Sequence, residues 1–163
     1  MNSPIGHRKY LVTGASGYVG GRLVRALVDE KDDVRILVRD KNKIMGQPWA
    51  TQVDICEGSA ENFSDLQRAL EGIHTAFYLL HSINLGPHFD EIESEMARNF
   101  AKAAELAGVS QIIYLGGIAN DANISKHLAS RAMTGESLAT TSVPVLELRA
   151  GIIIGSGSAS FEM

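Results

Sequence analysis

This chain is short of the residues that staple, kink or anchor a protein. Cys56 is the one cysteine in 163 residues, so no internal disulfide can form, and that fits a reducing compartment. No His or Cys pairing motif surrounds it, and its plainer reading is a small apolar side chain packed in the fold. There are four prolines and one tryptophan, and aromatic residues make up 6%. No repeat and no low-complexity linker divides the chain. Basic runs are missing and the net charge is −4, which argues against a nucleic-acid surface. No apolar run approaches the length of a membrane span, and the start M-N-S-P-I-G-H-R-K lacks a secretory apolar core. No membrane contact is expected, and the expected location is cytoplasmic. What remains is an ordinary globular composition, 45% hydrophobic and 21% charged, at a length that suits one domain with a real core.

Glycine, by contrast, is plentiful and placed. Tyr10 to Gly20 reads Y-L-V-T-G-A-S-G-Y-V-G, a short apolar run that breaks into three glycines and then into a helical pattern. Gly14 supplies the freedom for a tight turn. Gly17 lets main chain approach a phosphate with no side chain in the way, and Gly20 lets the helix lie close to the strand. An anion placed there meets unpaired N–H groups and the positive end of the helix dipole. The triplet alone is a weak signal, since a glycine turn need hold no ligand. A strand before it and an amphipathic helix after it strengthen the reading of a pyrophosphate cradle.

Six apolar runs, at 9–13, 34–38, 53–57, 75–80, 111–115 and 145–149, read as buried parallel strands. Helical spacing lies between them: Val19, Leu23 and Leu27; Phe63, Leu66 and Leu70; Ile92, Met96 and Phe100, continuing to Ala103 and Ala107; and Leu128, Ala132 and Met133. Gly72 and Gly108 stand where left-handed helix stops fit, and Pro144 should precede the sixth strand. Alternation of this kind predicts an α/β fold, a three-layer αβα Rossmann fold with a doubly wound six-stranded parallel sheet in the order 3-2-1-4-5-6. The ligand crevice then lies beyond the carboxyl ends of strands one and four.

The spacing Gly14-x-x-Gly17-x-x-Gly20 after Thr13 resembles the T-G-x-x-G-x-x-G signature of extended and atypical short-chain dehydrogenases/reductases. A-R-N-F-A-K-A-A-E-L-A-G-V-S-Q-I-I-Y-L-G-G and V-P-V-L-E-L-R-A-G-I-I-I-G-S-G-S also look like passages of that superfamily. Y-L-L-H-S-I at 78–83 and the stretch 148–162 resemble its NmrA-like, nucleoside-diphosphate-sugar-epimerase-like subgroup. The resemblance implies that residues 1–163 form one NAD(P)-binding Rossmann domain without the C-terminal substrate-binding part. It makes Gly14, Ser16, Gly17, Tyr18, Val19 and Gly20 the candidate phosphate contacts. His81 and Ser82, after the fourth strand, fall beside the expected ribose and pyrophosphate path, although His81 reads equally as a core-edge histidine. Ser59 stands where the family often has an aspartate near the adenine, and its hydroxyl is a weaker partner.

The catalytic pattern departs from the family. Its active members carry Tyr-x-x-x-Lys on the helix after strand five and a serine near the end of that strand. Here the matching positions are His127 and Arg131, and the strand ends in Gly116-Gly117. Two readings stay open: His127 as proton donor with Arg131 on the ribose or a phosphate, or a domain that binds dinucleotide without turning it over. For the cofactor, Arg39 at the end of the second strand favours the 2′-phosphate of NADP over NAD, while Asp40 reads as a helix cap. A solvated surface arginine is the plain alternative for Arg39. The acidic cluster His88, Asp90, Glu91, Glu93 and Glu95 is explained by the helix dipole, and no metal is expected. The functional expectation is therefore an oxidoreductase or sugar-nucleotide-epimerase relative acting on an unknown small molecule. The alternative is an NADP(H)-sensing regulatory module without catalysis. A homodimer is possible on the superfamily's usual helical face.

Overall fold

A computed structural model describes residues 8–80, 89–118, 126–151, 153 and 155. The elements run β1 (Lys9–Thr13), α1 (Tyr18–Asp29), β2 (Asp33–Val38), β3 (Asp54–Glu57), α2 (Phe63–Leu70), β4 (Thr75–Tyr78), α3 (Phe89–Leu106), β5 (Gln111–Gly117), α4 (Lys126–Leu138) and β6 (Val145–Ala150). The six strands form one parallel sheet in the order β3-β2-β1-β4-β5-β6. This is the predicted Rossmann arrangement, and the strand order reverses between β1 and β4.

Two apolar clusters hold the layers. On one side Leu11, Leu37, Tyr78, Ile112 and Tyr114 pack with Leu66 and Leu70 of α2, Phe100 and Ala104 of α3 and Leu138 of α4. On the other, Val12, Val34, Ile36 and Val38 pack with Val24 of α1 and with Ile44, Trp49 and Ala50 from the β2–β3 connection. That second layer stops short of the β6 edge, where Leu146 and Leu148 are 45% and 50% exposed.

Polar groups fix the rim opposite the crevice. Arg35 gives its Nε to Asp54 at 2.7 Å and its Nη1 to the carbonyls of Arg68, Ala69 and Glu71, which are the orphan acceptors at the end of α2. Lys9 joins the same Asp54 carboxylate at 3.0 Å. Partial burial raises the pKa of that carboxyl, but the hydrogen bonds from Arg35 and Lys9 outweigh burial and hold it below the ordinary value.

Several boundaries and faces differ from the sequence reading. β4 ends at Tyr78 rather than at residue 80, because the Leu79 amide is taken by the Thr13 hydroxyl. β5 runs on through Gly116 and Gly117, which pair with Arg149 and Ala150 of β6. The buried positions of α1 are Gly20 and Val24, with Leu23, Leu27 and Val28 half-buried around them. The largest departure is α4. Met133 is exposed, and the buried side carries Ser130, Thr134, Ser137 and Leu138.

Candidate dinucleotide site

The β1–α1 turn is built by steric exclusion. Gly14 has φ +70°, and a Cβ there would also stand 2.9 Å from the carbonyl oxygen of Leu79. Either fact suffices to demand glycine. Gly17 begins α1 as its N-cap, its amide bonded to the Gly14 carbonyl at 2.9 Å. Gly20, one turn into the helix, is where a Cβ would overlap the Gly14 carbonyl oxygen and reach within 2.7 Å of its carbon. The helix therefore packs directly on the turn.

Thr13 locks this turn to the neighbouring strand. Its side chain is fully buried, its hydroxyl donates to the Phe77 carbonyl at 3.0 Å and it accepts from the Leu79 amide at 3.1 Å. One side chain thus ties β1 to β4 at the point where the strand order reverses. Sequence reasoning used Thr13 only as part of a motif and missed this bond pair, because the partner backbone is more than sixty residues away.

The start of α1 is left open to an anion. Gly17 offers no side-chain cap and the first turn holds no acidic residue. Ser16 and Gly17 are exposed, Tyr18 and Val19 half-buried and Gly20 buried. First-turn amides lack partners within their own helix, so an exposed, uncapped, uncharged start suits a phosphate. A pyrophosphate fits the residues present: Gly14 and Gly20 exclude a Cβ, and Gly17 leaves the exposed helix start without a side chain.

At the end of β2 the two candidate discriminators part company. Asp40 caps the 3-10 turn Lys41–Lys43 by accepting from the Asn42 amide at 2.9 Å. Arg39 is exposed and has no hydrogen-bond or ion-pair partner among the described residues. Ser59 is committed to its own turn: its hydroxyl accepts from the Glu61 amide at 3.2 Å, and its amide donates to Asp65 at 2.9 Å. The carboxylate near this loop is thus Asp65, which Arg68 also holds at 2.8 Å.

His81 and Ser82 lie outside the described residues, as does the His127 side chain, whose backbone belongs to α4. Arg131 is described, and it grips β5. Its Nη2 donates to the Leu115 carbonyl at 2.7 Å, its own carbonyl accepts from the Tyr114 hydroxyl at 2.9 Å, and its buried Nε finds no partner among the described residues. Burial pushes the Tyr114 hydroxyl pKa up, and the Arg131 charge offsets this only in part.

The acidic cluster also needs correction. Asp90 and Glu91 stand in the first turn of α3, where the dipole accounts for them, but Glu93 is 5% exposed and Ser130 of α4 donates to it at 2.5 Å. Its charge adds to burial in raising the pKa of Tyr78. Beside it, the Ser94 hydroxyl is buried with no partner among the described residues. Nothing in the sequence marked this α3–α4 pairing, since a Glu at a helix start ordinarily faces water. Among the described residues no group of His, Cys, Asp or Glu could hold a metal ion, and no helix is long and apolar enough to cross a membrane.

Comparison with known proteins agrees with this geometry. The model of an NAD(P)H-binding family matches residues 14–142, more than half of the chain. A 3-beta-hydroxysteroid dehydrogenase of Mycolicibacterium neoaurum is 31% identical over 116 residues, covering 65% of this chain and 31% of that protein. A ceramide reductase of Caulobacter vibrioides is 27% identical over 150 residues, covering 90% of this chain and 46% of its own length. The Citrobacter sp. triphenylmethane reductase complexed with NADP(H) superposes with a TM-score of 0.73 at 24% identity, over 86% of this chain and 48% of that one. The chain thus spans about half the length of these relatives, or less. With a glycine cradle at its switch point and a family match that begins at Gly14, this chain belongs to the NAD(P)H-binding family and has the Rossmann arrangement of an NAD(P)-binding domain.

Proposed function

We propose that this domain binds NADP(H) in preference to NAD(H) and is the cofactor-binding half of a reductase. The observation that carries the preference is the pair at the end of β2. Arg39 is exposed and has no partner among the described residues, whereas Asp40, the carboxylate that could bind a ribose diol, is engaged as a cap. The backbone from Ser16 to Gly20 takes the pyrophosphate, and the Arg39 guanidinium takes the 2′-phosphate through charge-assisted hydrogen bonds. His127 is the proton donor and Arg131 the ribose contact of this reading. NADP(H) in the related triphenylmethane reductase lends support to the cofactor, and reductases and dehydrogenases among the relatives lend support to the reaction class. No comparison favours the regulatory reading. Substrate choice is assigned to a part beyond the cofactor half, in keeping with a chain about half as long as its relatives.

Titration of NADPH and NADH against the protein and against Arg39→Ala tests the reading. Hydrogen bonds to a charged group contribute about 1.5–3 kcal/mol, so the substitution should weaken NADPH binding by roughly 10- to 150-fold and leave NADH binding unchanged. Equal NADPH affinity in the two proteins overturns the assignment.

A further inference from the structure

The Gly116-Gly117 step stands where the reductase resemblance leads one to expect a catalytic serine, and the structure shows what took its place. A Cβ on Gly116 would overlap Oε1 of Glu147 and lie 3.2 Å from both Cδ and Cγ of that side chain. On Gly117 it would lie 2.8 Å from Cδ2 of Leu128 and 3.5 Å from Cδ of Arg131. The Glu147 carboxylate is held from outside by Arg149, whose Nε and Nη2 both donate to Oε2, at 3.0 and 2.9 Å. Its other oxygen points between β5 and α4, where a Cβ on Gly135 would meet it at 3.5 Å and Cε1 of Tyr114 at 3.4 Å. Glu147 is the cross-strand neighbour of Tyr114, and the Tyr114 hydroxyl donates to the Arg131 carbonyl. One carboxylate therefore lies in the seam that sets how closely α4 approaches β5, one residue from the strand carbonyl that Arg131 binds.

We propose that Glu147 is a positioning residue of the cofactor site: it fills the place of a strand-end side chain at Gly116 and fixes the seat of α4, and through it the guanidinium of Arg131. This rests on the reading of Arg131 as a ribose contact for its functional half, and on packing alone for its structural half. The missing serine is then not a gap that one substitution repairs. A serine at 116 meets the Glu147 carboxylate and must push it aside, and a serine at 117 meets Leu128.

The test combines melting and NADPH titration on Gly116→Ser, Glu147→Ala, Glu147→Gln, Arg131→Ala and the relevant pairs. Gly116→Ser should lower Tm by several degrees, and Gly116→Ser with Glu147→Ala should regain most of that loss. Glu147→Gln, which keeps the shape, should bind NADPH as the parent does. Glu147→Ala should weaken NADPH binding by a factor that disappears once Arg131 is already alanine. A Gly116→Ser protein as stable as the parent, a double variant no better than Gly116→Ser, or effects of 147 and 131 that multiply independently would each overturn the proposal. If Arg131→Ala leaves NADPH affinity unchanged, the ribose contact and the positioning role both fail. The Tm coupling between 116 and 147 then still decides whether the carboxylate fills that space.

Discussion

Gly20→Ala and Gly21→Ala form the sharpest test of how the cradle is built. Both add one methyl group inside the same helix, so both gain the same intrinsic preference of alanine over glycine, about 0.8–1.0 kcal/mol. They differ in what the methyl meets. At 21 it would lie 3.3 Å from the Ala15 carbonyl oxygen, a contact that a small shift relieves. At 20 it would overlap the Gly14 carbonyl oxygen and stand 2.7 Å from its carbon and 3.0 Å from the Ala15 Cα. All three atoms are backbone, so no side chain can swing away. Overpacking of this kind costs about 1–3 kcal/mol, and this case belongs at the upper end. The propensity gain cancels in the comparison, leaving Gly20→Ala about 2–3 kcal/mol less stable than Gly21→Ala. At roughly 2–4 °C per kcal/mol for a chain of this size, the two melting curves should separate by about 4–12 °C. Relief of the clash must also move the Gly14 carbonyl, which holds the Gly17 amide at 2.9 Å. NADPH affinity should therefore fall about tenfold or more in Gly20→Ala and stay near the parent value in Gly21→Ala. Thermal melting and fluorescence titration read both quantities. Equal Tm values for the two variants would refute the packing argument, and unchanged affinity in Gly20→Ala would refute the link from turn geometry to binding.

Other expectations follow from single contacts. Thr13→Val removes the bond to the Phe77 carbonyl and strands the Leu79 amide; an unpaired buried group costs about 1–3 kcal/mol, so Tm should drop although volume is nearly conserved. Arg35→Ala uncovers three carbonyls at the end of α2 and leaves Asp54 to Lys9 alone, and amide exchange should quicken in α2 before it does in α3. Because the folded pKa of Asp54 is depressed, its contribution is present above its unfolded pKa and lost as pH falls through the folded value. The stability gap between Arg35→Ala and the parent should therefore be widest at neutral pH and narrow in acid to the part owed to the three carbonyls, a trend that stability measurements across that range would check.

The fold was legible in the sequence because buried parallel strands read as apolar runs and the glycine turn marks the first crossover. Gly72 and Gly108 do take φ +71° and +70°. α1, however, stops on Lys31 at φ 64°, with its amide on Val28 and that of Asp32 on Leu27, a helix stop that carries no glycine to betray it. α4 escaped for a different reason: its buried face is hydroxylic. Thr134 satisfies itself on the Ser130 carbonyl and Ser130 on Glu93, so hydrophobic periodicity pointed at Leu128, Ala132 and Met133 instead. In the site, Gly17, Gly20 and the capping role of Asp40 were readable because each depends on neighbours within a few residues, and Gly14 because its own φ of +70° marks the turn, whereas its close approach to Leu79 was not. Thr13 and Glu93 were not, since their partners lie on other elements, and for Glu147 the nearby Arg149 was in reach of the sequence but its approach to Gly116 on β5 was not.

The central claim is that the amides at the start of α1 hold the cofactor's pyrophosphate. Backbone amide shifts recorded during NADPH titration test it most directly. The account predicts that the largest changes fall on Ser16 to Gly20, with the Arg39 side chain responding to NADPH and silent to NADH. Saturable binding whose largest shifts lie elsewhere, for instance in the groove between α2 and α3 lined by Ser64, Gln67 and Leu106, would contradict it.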